Sequence, residues 1–215
     1  MEKRTLCPRK EAGLGSGKGL EYCVAAHAEQ NAISQAARLG IKIKNCSMFV
    51  VGGVPCKSCA VSIINSGIRI VYFWSDDNTY DGIAEEIFRE SGVALHRLKF
   101  DDNKNLFYVP MYDTLMNNDV PLAEKITSYV QMCELVLKRS KCLSRKVGSV
   151  IVNDDCIVST GFNGPARGAS HCDVRTYGVP KKIVEEADKK PCGWCNGTGY
   201  YLGDGNEIII GIREE

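Results

Sequence analysis

Ser47-Met48-Phe49-Val50-Val51-Gly52-Gly53-Val54-Pro55-Cys56-Lys57-Ser58-Cys59-Ala60-Val61-Ser62-Ile63-Ile64-Asn65-Ser66-Gly67 changes its period midway. Ser47 to Val51 reads as a short buried strand,. Cys56 to Asn65 reads as a helix, opened by Pro55 and closed by Gly67,. Ile68 to Trp74 is again an apolar strand. Upstream, His27 to Leu39 is a helix closed by Gly40, with Ala28, Ile33 and Ala36 on its apolar face,. Downstream, Ile83 to Glu90 is an amphipathic helix closed near Gly92, and Val93 to Phe100 an alternating strand,. Strands alternating with helices predict an α/β unit rather than segregated classes.

Further along, residues 101–120 read as a partly ordered connection, polar like a linker but with Leu106, Phe107, Tyr108 and Val109 apolar enough to pack,. Leu122 to Arg139 is a long amphipathic helix, and Val147 to Val152 and Ile157 to Phe162 form a β-hairpin around Asn153-Asp154-Asp155,. After Asn163 glycine, proline and charge dominate, with a helix expected at Lys182 to Lys189 and a short strand at Glu207 to Ile212. The partition expected is one domain over 1–215, made of a metal-motif half (1–100), the linker (101–120), a second half (121–173) and a cysteine-bearing extension (174–215).

Composition narrows the partners. With 27 basic and 26 acidic residues the net charge is +1, no footprint for nucleic acid or an anionic membrane,. The uncharged run Asn45 to Cys56 has 12 residues with two glycines and a proline. A membrane span needs roughly 18 apolar residues, so none is expected. Basic residues at Lys3 and Arg4 are followed by no apolar signal core, and a cytoplasmic location is expected,. Eleven cysteines in such a compartment favour metal over disulfides,.

His27, Cys56 and Cys59 can supply one imidazole and two thiols to a single tetrahedral metal,. Cys56 and Cys59 are three apart at the start of a helix, so their sulfurs share a face where the helix dipole favours thiolates. Three ligands leave a fourth position open, as catalytic zinc does, and a water there has its pKa lowered to around 7. Glu29, two residues from His27, can reach that water without ligating. The pattern H-x-E followed by P-C-x-x-C is a general signature of zinc deaminases. A closed zinc site, or a buried histidine with unrelated core cysteines, would need neither Glu29 nor Pro55.

Glu21-Tyr22-Cys23-Val24-Ala25-Ala26-His27-Ala28-Glu29-Gln30-Asn31-Ala32-Ile33, Pro55 to Ala60 and Ser66-Gly67-Ile68 resemble the catalytic half of the deoxycytidylate (dCMP) deaminases. A nucleoside cytidine deaminase would carry cysteine in place of His27, and a riboflavin-pathway deaminase would have a longer second motif. Ser140 to Val152, Ser159 to Pro165 and Ser170-His171-Cys172-Asp173 resemble the segment that family carries before its zinc motif, yet here it follows. The resemblance therefore implies a circularly permuted cytidine deaminase-like fold, a three-layer α/β/α domain with a five-stranded mixed sheet. A permutation cut in a surface loop is physically tolerable.

The resemblance implies hydrolysis of dCMP to dUMP, with Glu29 as proton shuttle and His27, Cys56 and Cys59 as ligands of the catalytic zinc. It implies that Asn163 bonds the deoxyribose hydroxyl and that Phe162, standing where the family has tyrosine, Ala28 and Val54 contribute to the substrate site. Val24 to Ala26 and Gly52 to Val54 would present backbone to the base. Arg145 and Lys146, with Arg167, are candidates for the phosphate, although Asn163 also reads as a plain turn residue and the cations as solvated. A second, structural zinc is expected from Cys7, Cys23, Cys172 and His171 or Cys142, with Cys192 and Cys195 as alternative ligands; Cys192 and Cys195 also read as a redox pair or free thiols. Cys46, Cys133 and Cys156 are expected in the core. Family members respond to dCTP and dTTP, so these effectors and a homo-oligomer are expected. A polynucleotide or transfer RNA deaminase and an inactive nucleotide-binding module are the alternatives. Neutral charge opposes the first and Glu29 the second,.

Overall fold

A computed structural model describes residues 6–14, 23–75, 82–110, 123–171, 198–202 and 208–212. The chain divides into two compact units, Val24–His171 and a second made of Met1–Cys23 with Cys172–Glu215. In the second unit α1 (Pro8–Glu11) starts at a proline, and β10 (Thr198–Leu202) pairs antiparallel with β11 (Ile208–Ile212). The strand expected at Glu207 to Ile212 corresponds to β11. The helix expected at Lys182 to Lys189 lies outside the described residues.

The larger unit runs β1 (Ala25–Ala26), α2 (Ala28–Leu39), β2 (Ser47–Val51), α3 (Lys57–Asn65), β3 (Ile70–Trp74), α4 (Ile83–Ser91) and β4 (Ala94–Arg97). It continues with β5 (Lys99–Asp101), β6 (Leu106–Tyr108), α5 (Ala123–Leu137), β7 (Gly148–Asn153), β8 (Cys156–Phe162) and β9 (Gly164–Pro165). Its five-stranded mixed sheet has the order β4-β3-β2-β7-β8. The first three strands are parallel, and β7 joins β2 antiparallel with Met48 opposite Ile151. The late hairpin thus completes the early sheet and lies at its edge.

Alternation along each strand sorts the side chains to two faces. Met48 and Val50 of β2, Val71 and Phe73 of β3 and Ile151 of β7 pack with Ala32 and Ala36 of α2, Ala60 and Ile63 of α3 and Phe88 of α4. Phe49 and Val51, Tyr72, and Val150 and Val152 point the other way, onto Ile126, Tyr129, Val130 and Cys133 of α5. This is a three-layer α/β unit with two hydrophobic cores, because a sheet buried on both faces needs helices on both. The hairpin turn at Asp154 and Asp155 has φ of 47° and 63°, the paired positive values that match the twist of a tight two-residue hairpin,.

Two expectations are corrected, and a third, partial order in the 101–120 connection, is met over its first part. The strand expected over Val93 to Phe100 is broken at Leu98, whose N–H still bonds the Phe73 carbonyl at 2.8 Å while its side chain is buried in the α5-side core. The first part of the expected linker is ordered. Asp101 Oδ1 accepts from the N–H groups of Asn103 and Lys104, an Asx turn that folds β6 onto β5, and the Phe107 N–H donates to Thr127 of α5 at 2.8 Å,. Residues 111–120 lie outside the description. Cys156 is exposed rather than in the core, because it opens β8 beside the hairpin turn, whereas Cys46 and Cys133 are buried.

Candidate metal centre

Two helix starts build the site. His27 sits at the N-cap of α2 and Cys56 at the N-cap of α3, both with extended backbone (φ −73°, ψ 159°; φ −79°, ψ 171°), and Cys59 follows in the first turn of α3. The loop between β2 and α3 closes tightly. Gly52 has φ +91°, and a Cβ there would lie 2.4 Å from the Lys146 carbonyl oxygen, so glycine is required on both counts,.

His27 Nδ1 lies 3.3 Å from Cys56 Sγ and 3.3 Å from Cys59 Sγ. All three donor atoms fall within 4.8 Å of one another. Zinc bonds of ~2.0–2.3 Å to nitrogen and sulfur give a tetrahedral edge of about 3.5 Å, so the donor set fits zinc in type and spacing. Charge agrees with this. The Cys59 thiol beside it, with His27 and Ser58, brings Cys56 down to about 3 despite partial burial. Cys56 in turn, together with burial and Glu29, pushes the Cys59 thiol upward. The two sulfurs thus compete for one proton, and a divalent cation is what would let both be thiolates.

Glu29 is 3% exposed in the first turn of α2. Burial pushes its carboxyl above the usual range, against opposing pulls from backbone hydrogen bonding and from His27,. Glu29 and Cys59 each influence the other's protonation, which puts the carboxyl beside the thiol cluster. A buried carboxyl that can hold or release a proton beside an N,S,S cluster is suited to acid–base work.

Sequence reasoning missed the groups that hold α2 in place. Ser149 Oγ donates to the Ala28 carbonyl at 2.9 Å, Ser159 Oγ to the Ala32 carbonyl at 2.7 Å, and Asn31 Nδ2 to the Phe162 carbonyl at 2.8 Å. Gly161 lets β8 approach this closely, since a Cβ there would lie 2.1 Å from the Ala28 oxygen and 2.4 Å from the Ala32 nitrogen. β9 also pairs with β1, Ala26 opposite Gly164, immediately before His27. The available signal was the pair of serines at inward positions of otherwise apolar strands.

The remaining expected contact residues are spread differently. Ala28 is fully buried with its carbonyl engaged by Ser149, and Val54 is buried in the core that includes α2 and α3. The Phe162 ring packs against the α5-side core, with the Arg139 guanidinium 5.1 Å from its centroid. Asn163 is buried; its Oδ1 accepts from the Val147 N–H at 2.9 Å and Ser140 Oγ at 2.8 Å, and its Nδ2 donates to the Arg145 carbonyl at 2.8 Å. Its acceptor capacity is filled and one N–H remains. Lys146 is exposed and Arg145 half-buried. Among the residues expected at a second zinc, Cys7 is buried and Cys23, Cys142 and His171 are half-buried, while Cys172, Cys192 and Cys195 lie outside the described residues. His27, Cys56 and Cys59 form the one group of three or more metal-ligating side chains found among the described residues. No described helix is long and apolar enough to cross a membrane.

Residues 9–75 match the family described as the cytidine and deoxycytidylate deaminase zinc-binding region. ComE operon protein 2 of Bacillus subtilis (strain 168) is 36% identical over 83 residues, 38% of this chain and 43% of that protein. Deoxycytidylate deaminase of enterobacteria phage T2 is 45% identical over 74 residues, 32% of this chain and 39% of the phage protein. Human deoxycytidylate deaminase is 36% identical over 80 residues, 36% of this chain and 43% of the human protein. The chain thus spans less than half the length of these relatives.

Proposed function

We propose that this chain, which belongs through residues 9–75 to the cytidine and deoxycytidylate deaminase family, hydrolyses the 4-amino group of dCMP to give dUMP and ammonia. The observation that carries the reading is the buried Glu29 carboxyl against the converging donors of His27, Cys56 and Cys59. His27, Cys56 and Cys59 would hold zinc, which would supply Lewis acidity that makes a water nucleophilic at neutral pH,. Glu29 takes the proton of the attacking water and delivers it to N3 of the cytosine as C4 becomes tetrahedral. It then takes the proton of the new C4 hydroxyl and passes it to the amino group, which departs as ammonia while the C4 carbonyl forms. The raised carboxyl suits this cycle, because a group that stayed ionised throughout could not return the proton,.

The finer assignments belong to the same proposal. The remaining Asn163 N–H is directed to the deoxyribose hydroxyl, and Arg145 and Lys146 to the phosphate. A circular permutation is part of the same reading; the early parallel trio completed by a late antiparallel hairpin supports it. Free thiols at the site suit a reducing, cytoplasmic setting,. A homo-oligomer regulated by dCTP and dTTP completes the reading. Ammonia release from dCMP, deoxycytidine, dCTP and a stem-loop RNA, with and without added dCTP and dTTP, tests substrate and effectors together. Turnover on RNA, or none on dCMP, would overturn it.

A further inference from the structure

We propose that Asn31 is a positioning residue: it locks the turn carrying His27 and Glu29 to the strand end that leads into Asn163. Its backbone N–H donates to the His27 carbonyl at 3.0 Å, while its side-chain Nδ2 donates to the Phe162 carbonyl at 2.8 Å. One residue therefore grips a metal-ligating residue on its own helix and the backbone beside Asn163, across 131 positions of sequence.

The two grips close a ring. From Phe162 the chain passes through Asn163 into β9, whose Gly164 pairs with Ala26 of β1, and from Ala26 it enters His27 directly. His27 and Glu29 are thus bracketed, by the β1–β9 pairing on one side and by the Asn31 side chain on the other. Asparagine is a poor choice for a helix interior, because its amide competes with backbone hydrogen bonding. Here the amide is directed out of the helix to a carbonyl at the end of β8. Asn163, the next residue, spends its own amide on Val147, Ser140 and Arg145. The Asn31 bond consequently ties the metal helix to the loop bearing Arg145 and Lys146. Loss of a group that orients a metal ligand from behind typically costs about 10- to 100-fold in metal affinity or activity.

The kinetic part rests on the deaminase reading; the metal part does not. The test uses Asn31→Asp, which keeps the shape and removes the donor, and Asn31→Ser, which is too short to span the gap. Each is compared with wild type for zinc affinity, by competition with a chromophoric chelator, for the kcat and KM of dCMP deamination, and for thermal midpoint. We expect zinc affinity to fall about 10- to 100-fold in both variants, and kcat to fall by a similar factor, with KM changed less. Zinc affinity and kcat within twofold of wild type, alongside a lowered midpoint, would overturn the proposal in favour of a purely stabilising bond. Failure of both variants to fold would overturn it in the same way. If wild type releases no ammonia from dCMP, the function reading falls by itself, and the zinc affinities still decide this one.

Discussion

The hydroxyl of Ser149 donates to the carbonyl of Ala28 at 2.9 Å, joining β7 to the residue that separates His27 from Glu29 across 121 positions of sequence. Both residues are fully buried. Ser149→Ala leaves that carbonyl without the hydroxyl and should cost about 1–3 kcal/mol. At about 2–4 °C per kcal/mol for a chain of this size, the thermal midpoint should drop measurably. An unchanged midpoint would show that the bond contributes nothing.

Gly161→Ala should be worse. Its Cβ would meet backbone atoms of α2 at 2.1 and 2.4 Å, and backbone cannot swing aside as a flexible side chain can. Overpacking of this kind costs about 1–3 kcal/mol or more. Denaturant unfolding should show it, and metal binding should weaken in parallel, because α2 would be displaced from β8. A variant as stable as wild type would contradict the close approach.

Glu29→Gln should retain one equivalent of zinc and lose turnover by more than the roughly 10²- to 10⁴-fold typical of one acid–base group, since several proton transfers pass through it. Metal analysis and an ammonia assay on the same preparation separate the two effects. Wild-type turnover in this variant would end the proposed mechanism.

His27→Ala and Cys59→Ala should each lose the metal, because two remaining donors are too few for a tetrahedral site. Emission spectroscopy of the purified variants reads this directly. Full zinc occupancy in either would move the site elsewhere.

Phe49→Ala should cost about 3–5 kcal/mol. The ring stacks on Tyr72 at 4.7 Å and tilts against Tyr129 at 4.9 Å, linking two central strands to α5. Chemical denaturation checks it, and a loss below 1 kcal/mol would mean that the α5 layer repacks freely.

Most of the element pattern was legible locally. Gly40 and Gly92 in left-handed C-caps ended α2 and α4 where the sequence places stops, and β2 begins and ends as read. The metal centre was legible because its ligands lie in two short motifs whose spacing follows from helix starts alone. The break at Leu98 was not, since alternation continues through it and only the change of pairing partner, from β3 up to Arg97 to β6 from Lys99, shows that the chain leaves the sheet. Cys156 misled for a related reason: its neighbours are apolar, but its place is set by the turn.

Local chemistry in the sequence therefore determined which residues become helix or strand, and that His27, Glu29, Cys56 and Cys59 belong to one centre. Only the tertiary structure decided how that centre is held, through Ser149, Ser159, Asn31 and Gly161 on the approach of β8 to α2. It likewise decided that the Asn163 amide is largely consumed by Ser140, Arg145 and Val147 in the segment before β7. The physical reason is range. A helix cap or a ligand spacing is set by neighbours a few residues apart, whereas a hydroxyl's partner across more than a hundred residues exists only once two faces have packed.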